Sequence, residues 1–183
     1  MCGIIGIASN KSVSVNIINA LKKLEYRGYD SAGLSLIHNG NINTQKTIGK
    51  VIDLENLFGD SLPFGTVGIA HTRWATHGVP SSINSHPHTS GPISVVHNGI
   101  IENHSELKKE ITEQGIKFSS NTDSEVIAHL INLNVCTSNS LREAVTKAIL
   151  RLDGAYAICV ISEDDPEKII GARSGSPLVV GLG

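Results

Sequence analysis

The stretch that organises the chain is its first eight residues, MCGIIGIA at positions 1–8. Three isoleucines stand among small residues after Cys2, and such an apolar run is typical of a buried strand. If Met1 is removed, Cys2 carries both a thiol and a free α-amine. The amine has an unperturbed pKa of about 7.7–8 and can accept the proton of the thiol, whose pKa is about 8.5. This pairing indicates an N-terminal nucleophile, and a Cys that happens to stand second is the alternative.

The composition describes an ordered chain without the marks of a nucleic-acid or membrane protein. Of 183 residues, 40% are hydrophobic and 17% are charged, which suits one globular domain. The net charge of −2 argues against a nucleic-acid partner or a polybasic membrane surface. The sequence contains no apolar run of about 18–20 residues and no signal-peptide pattern. Three cysteines are too few for a disulfide framework, so we expect a cytoplasmic location.

Hydrophobic spacing predicts a mixture of helices and strands. Helices are predicted over 15–24, 49–58, 105–114, 126–133 and 140–152, and strands over 33–38, 42–48, 66–71, 93–96, 155–161, 169–172 and 178–181. The pair Asn39-Gly40 predicts a type I′ hairpin turn, because both residues accept positive φ. Thr122 and Glu125 have the spacing of a capping box at the start of a helix.

A loop after the predicted strand 66–71 concentrates reactive side chains. It reads TRWATHG at 72–78 and holds the single Trp of the sequence. Arg73 can bind a carboxylate through two parallel hydrogen bonds, which Lys cannot match. Trp74 fits either a lid that excludes water or a core residue, and Thr76 and His77 would line the same cleft.

Two further positions suit the hydrolysis of an amide. The side-chain amide of Asn98 and the backbone N–H of Gly99 are suitable donors for an oxyanion, although the same His-Asn-Gly triplet at 38–40 reads as an ordinary turn. Asp123 could hold an ammonium group, or could simply be a favourable charge at a helix N-terminus. With Arg73, it would form a clamp for an α-amino acid.

A cluster of histidines suggests a rival, a metal-dependent hydrolase. The cluster comprises His71, His77, His86, His88 and His97. The spacing of His86 and His88 suits two metal ligands, but a zinc site usually also has carboxylate support. The sequence has no acidic residue between Asp60 and Glu102, so this alternative is the less favoured one.

Five segments in this order resemble the glutaminase domain of class II glutamine amidotransferases: MCGI at 1–4, YRGYDSAG at 26–33, HTRWATHG at 71–78, HNG at 97–99 and NTDSE at 121–125. The resemblance covers the whole chain and is strongest to members that aminate fructose 6-phosphate to glucosamine 6-phosphate. It implies an α+β fold, a four-layer αββα sandwich of the N-terminal nucleophile hydrolase type. Residues 1–183 would be a partial type-2 domain, truncated at its C-terminal end, and the sugar-phosphate isomerase domains would be absent.

The resemblance also implies roles for individual residues. The expected nucleophile is Cys2, the oxyanion donors are Asn98 and Gly99, and the substrate contacts are Arg73, Trp74, Thr76, His77 and Asp123. Arg27 would lie near the nucleophile, without an assigned role. No cofactor and no metal are expected. The expected partner is L-glutamine, with fructose 6-phosphate only in a full-length enzyme, which would be a homo-oligomer. A glutamine-binding module without catalysis is the other alternative.

Overall fold

Two antiparallel sheets form the centre of the molecule. The computed structural model of the chain describes residues 2–74 and 79–183. Within these residues the first sheet has the order β1-β4-β2-β3, with β1 (Gly3–Ala8), β2 (Ser31–His38), β3 (Asn41–Ile48) and β4 (Val67–Arg73). The second sheet has the order β5-β6-β7-β8, with β5 (His88–Ser90), β6 (Ile93–Ile101), β7 (Gly154–Ser162) and β8 (Asp165–Ser174).

Helices cover the outer faces of both sheets. The first sheet packs against α1 (Ser14–Leu24) and α2 (Val51–Asn56), and the second against α3 (His104–Glu113), α4 (Glu125–Val135) and α5 (Leu141–Ile149). A separate apolar cluster fills the space between the sheets and includes Ile37, Ile69, Val96, Cys159 and Ile161. The order from one side to the other is therefore helices, sheet, sheet, helices, and the expected α+β sandwich is confirmed.

The local signals in the sequence explain most of these elements. In α1 the apolar side chains of Ile17, Ile18 and Leu21 are buried on one face, as their helical spacing predicts. The hairpin between β2 and β3 turns at Asn39 and Gly40, whose φ angles are 50° and 76°. Positive φ at both positions is the requirement that favours Asn-Gly there, so this prediction is confirmed.

Three predictions about strands were wrong. The strand predicted over 93–96 continues to Ile101, because β7 pairs with it along its full length and Gly99 faces Tyr156. The segment 178–181 is not a strand, and Val179 there is 91% exposed. No strand was predicted between 72 and 92, but the short strand β5 lies there and pairs with β6. Apolar content alone did not reveal which segments find a pairing partner.

The described helices give no sign of a membrane span, since none of them combines the length and the apolar character needed to cross a bilayer.

Candidate active site

Cys2 lies directly before β1, at the end of the first sheet where β4 finishes. Antiparallel pairing places Gly3 opposite Thr72, so the start of β1 lies beside Arg73 and Trp74. The backbone N–H of Trp74 lies 3.4 Å from the Cys2 sulfur, as a donor to it. From the other side, Arg27 Nε donates to the Cys2 carbonyl at 3.1 Å. The chain start is therefore held in place, and Arg27 lies near Cys2 as the resemblance implies, through a contact with the Cys2 backbone.

The Cys2 thiol needs a base to become a nucleophile. Burial raises the pKa of this thiol, and the hydrogen bond from Trp74 offsets the effect only in part. A thiol with a raised pKa is mostly protonated at neutral pH, whereas the thiolate is the reactive form. A proton acceptor close to the sulfur is therefore required for attack on a carbonyl carbon.

A small cavity joins the thiol to a buried cation and a buried anion. Cys2, Arg73, Trp74, Gly99 and Asp123 all line it. Arg73, the last residue of β4, is 3% exposed, and Asp123, before α4, is 4% exposed. Charges of opposite sign on one small cavity are complementary to a zwitterion. The structure therefore brings together most of the site residues predicted from the sequence.

Asn98 and Gly99 line a second cavity of about 400 Å³, which Cys2, Arg27 and Trp74 also line. Gly99 lines both cavities, and Asn98 only this one. Gly99 has φ of 146°, and a Cβ there would lie 2.0 Å from the carbonyl oxygen of Ala155. Only glycine fits this backbone. The pair lies within β6, beyond the strand predicted over 93–96.

Glu125 organises the loop that carries Asp123. Its carboxylate accepts hydrogen bonds from the backbone N–H and the hydroxyl of both Ser119 and Ser120, at 2.6–2.8 Å. Burial alone raises the pKa of Glu125, but hydrogen bonds from His129, Ser119 and Ser120 outweigh it and hold the pKa well below its ordinary value. The predicted capping box with Thr122 is therefore wrong, because α4 begins at Glu125 with Ser124 as its N-cap and the Glu125 carboxylate is engaged by the two serines.

Four of the five clustered histidines are buried, namely His71, His86, His88 and His97, and two of them, His86 and His97, line the small cavity. The rings of His71 and His86 stack with centroids 4.0 Å apart, and His88 meets His86 edge-on at 4.6 Å. Burial lowers the pKa of His71 and His88 to about 3 and of His97 to about 4, and that of His86 well below 6.5. In residues 2–74 and 79–183, no group of three or more His, Cys, Asp or Glu side chains is placed to hold a metal ion.

Of the three substrate contacts predicted in the loop after Arg73, the structure describes only Trp74. Thr76 and His77 lie outside the described residues. Trp74 is 48% exposed and meets Tyr29 edge-on, with ring centroids 5.6 Å apart. The interpretation of Trp74 as a core residue is therefore wrong.

Gly28 lets the segment at 26–33 lie against the peptide that joins Arg73 and Trp74. A Cβ on Gly28 would lie 2.5 Å from the Arg73 carbonyl carbon and 2.7 Å from the Trp74 nitrogen. We expect Gly28→Ala to lower the free energy of unfolding by about 1–3 kcal/mol, because backbone atoms have to move. Urea denaturation followed by circular dichroism measures the effect. Gly181→Ala, where a Cβ meets nothing within 4 Å, is the control, and equal stabilities of the two variants would contradict the prediction.

Comparison with protein families gives a match that includes Arg73, Asn98, Gly99 and Asp123 but begins after Cys2. Residues 71–180 match the model of a family described as a glutamine amidotransferase domain. Glutamine–fructose-6-phosphate aminotransferases (isomerizing) of Shewanella oneidensis and Vibrio vulnificus are each 50% identical to this chain over its whole length. The chain spans about 30% of the length of these relatives.

Solved structures show the same arrangement of sheets and helices. A glutamine phosphoribosylpyrophosphate amidotransferase from B. subtilis aligns with 89% of this chain and 35% of its own, with a TM-score of 0.77 and 26% identity. A glutamine aminotransferase class-II domain protein from Silicibacter pomeroyi aligns with 98% of this chain and 79% of its own, with a TM-score of 0.66. Its identity is 14%, so this second likeness concerns the fold alone.

Proposed function

Because the chain belongs to the glutamine amidotransferase domain family, we propose that it hydrolyses the side-chain amide of L-glutamine with Cys2 as the nucleophile. The observation that carries this proposal is the small cavity shared by the Cys2 thiol, Arg73 and Asp123. Free glutamine is a zwitterion with an amide at the far end of its side chain. A site for it therefore needs a cation, an anion and a nucleophile around one space. Here the small cavity has a volume of about 20 Å³ and adjoins the 400 Å³ cavity at Cys2, Trp74 and Gly99.

In this proposal the substrate is held at its α-carbon. The Arg73 guanidinium binds the α-carboxylate, and the Asp123 carboxylate accepts from the α-ammonium group. Trp74, Thr76 and His77 lie beside the bound glutamine, and the loop that carries them excludes water. Burial of both charged groups favours this binding mode, because hydrogen bonds between ions are stronger away from bulk water.

The proposed reaction begins with removal of Met1, which makes the α-amine of Cys2 available as the base. The amine takes the thiol proton, and the sulfur attacks the amide carbon of glutamine. The side-chain N–H of Asn98 and the backbone N–H of Gly99 donate to the resulting oxyanion. The protonated amine then gives its proton to the departing nitrogen, and ammonia leaves a γ-glutamyl thioester. Water, deprotonated by the same amine, cleaves the thioester to glutamate and restores the thiol.

We extend the proposal to the complete enzyme. The relatives are named for an amino transfer to fructose 6-phosphate, and we propose that ammonia from this site converts fructose 6-phosphate to glucosamine 6-phosphate. Residues 1–183 would be the glutaminase half, a type-2 amidotransferase domain built as an αββα sandwich of the N-terminal nucleophile type. We propose a cytoplasmic homo-oligomer whose other domains bind the sugar phosphate.

The proposal is tested by product formation together with labelling. The intact mass first establishes that Met1 is absent, and the protein is then incubated with L-glutamine while glutamate and ammonia are measured. A diazo-ketone analogue of glutamine is expected to modify Cys2 in a one-to-one ratio and to be excluded by excess glutamine. Cys136 is exposed and serves as an internal reference for unselective thiol chemistry. Processed protein that releases no glutamate, or that is labelled at Cys136 instead, would refute the proposal.

A further inference from the structure

A chain of hydrogen bonds ties Asp123 to the strand that carries the proposed oxyanion donors. His97 Nδ1 lies 2.7 Å from the Ser124 hydroxyl, and that hydroxyl lies 3.4 Å from Asp123 Oδ1. All three residues are buried and line the small cavity. The proposed catalytic scheme uses only Asp123 among them.

The Asp123 carboxylate determines which group donates in each of these two hydrogen bonds. An ionised Asp123 can only accept, so the Ser124 hydroxyl donates to it. That hydroxyl can then only accept from His97, which requires the tautomer of His97 with the proton on Nδ1. With this tautomer both hydrogen bonds have a donor and an acceptor, whereas the other tautomer would take the Ser124 proton away from Asp123. Among the described residues, His97 Nε2 has no hydrogen-bond partner, and with the proton on Nδ1 it is left without an N–H to satisfy. Burial lowers the pKa of His97 to about 4, so the ring is neutral near pH 7.

The second oxygen of Asp123 fixes the other end of the same short segment. Asp123 Oδ2 accepts from the backbone N–H of Ile101 at 2.8 Å. Its two oxygens therefore connect to β6 at His97 and at Ile101, on either side of Asn98 and Gly99. One carboxylate therefore fixes the position of the proposed amine contact relative to the proposed oxyanion donors.

We propose that His97 and Ser124 are positioning residues that aim the Asp123 carboxylate at the α-ammonium group of glutamine. This inference rests on the proposed function. Loss of the Ser124 hydroxyl leaves Oδ2 on Ile101 and leaves the pairing of β6 with β7 intact. The effect should therefore fall on recognition of the amine, and the chemical step should be largely unchanged.

Steady-state kinetics of Ser124→Ala test this assignment against a simple structural role. We expect the KM for glutamine to rise about tenfold, the size expected for loosening one hydrogen bond to a charged group, with kcat changed less than about threefold. Glutaramate, which is glutamine without the α-amine, serves as a competitive inhibitor. Its inhibition constant should stay within about twofold of the wild-type value, because it has no ammonium group for Asp123.

Two further variants separate the possible outcomes. His97→Asn retains a donor close to the position of Nδ1 and should keep the KM within about threefold. Ser162 is a buried serine in β7 that does not line the small cavity, so the control variant Ser162→Ala should behave as wild type. Equal weakening of glutamine and glutaramate in Ser124→Ala, or weakening of neither, would overturn the proposal. A wild-type protein that fails to hydrolyse glutamine would instead refute the proposed function.

Discussion

Replacement of Cys2 by Ala is expected to lower the rate of glutamine hydrolysis by at least about 10⁴-fold, since removing the nucleophile of a covalent mechanism leaves only binding and oxyanion stabilisation. The fold should be retained, because the side chain of Cys2 is only half-buried and β1 begins after it. Glutamine should still bind through Arg73 and Asp123. The measurements are glutamate release, thermal unfolding and calorimetric titration with glutamine.

Cys136→Ala is the matched control, because Cys136 is an exposed thiol at the end of α4. Its hydrolysis rate should equal that of the wild type. A residual activity in Cys2→Ala above about 1% would contradict the nucleophile assignment. Equal losses in both variants would indicate a general dependence on free thiols.

The α-amine is tested separately from the sulfur. A variant that retains extra residues before Cys2 keeps the thiol but converts the amine into a peptide nitrogen, which cannot act as a base. Burial raises the pKa of the Cys2 thiol, so this variant should be nearly as inactive as Cys2→Ala at neutral pH. Hydrolysis at the wild-type rate with the amine blocked would require a different base.

Local patterns in the sequence located the helices and most strands but did not settle how the strands pair. Helical spacing located α1, and Asn39-Gly40 located a hairpin turn, because both signals act within a few residues. The extension of β6 to Ile101 depends on β7, which lies far away in the sequence. The apolar segment 178–181 was mistaken for a strand because apolar content does not show whether a partner strand is available.

The site residues were predictable from the sequence, whereas the contacts between them were predictable only in part. Cys2, Arg73 and Asp123 were identifiable from residue type and from the resemblance to a family, and the structure places all three on one cavity. The resemblance placed Arg27 near the nucleophile but gave it no role, and its contact with the Cys2 carbonyl and the link from His97 to Asp123 come from the structure alone. Both join residues of ordinary type that only the folded chain brings together.

Acid is expected to unfold the protein cooperatively between about pH 6.5 and pH 4. Burial lowers the pKa of His71 and His88 to about 3 and of His97 to about 4, and that of His86 well below 6.5. In the unfolded chain these groups titrate near 6.5, so below that pH the unfolded state binds more protons. Their contribution to stability is complete above pH 6.5 and is lost as the pH falls towards their folded values.

The expected size of this effect is large because the four histidines act together. Each can contribute up to about 1.4 kcal/mol per pH unit, so the slope could reach about 5 kcal/mol per pH unit, against a total stability of about 5–15 kcal/mol for a typical domain. Neighbouring charges modify the individual values: Arg73 opposes protonation of His71, His86 and His88, Lys46 opposes that of His88, and Asp123 favours that of His97. The Glu125 carboxylate, whose pKa is also lowered, adds a loss in the same direction below about pH 4.3.

Urea denaturation at a series of pH values, followed by circular dichroism, measures the slope. His86→Phe removes one titrating ring while keeping an aromatic side chain stacked beside His71, and among the described residues both ring nitrogens of His86 have no hydrogen-bond partner. This variant should lose about 1.4 kcal/mol per pH unit of the slope below pH 6 and unfold at a lower pH than the wild type. His38→Gln replaces an exposed histidine at the end of β2 and should leave the slope unchanged. A wild-type protein equally stable at pH 7.5 and pH 5 would show that the four buried rings do not exclude protons as their burial requires.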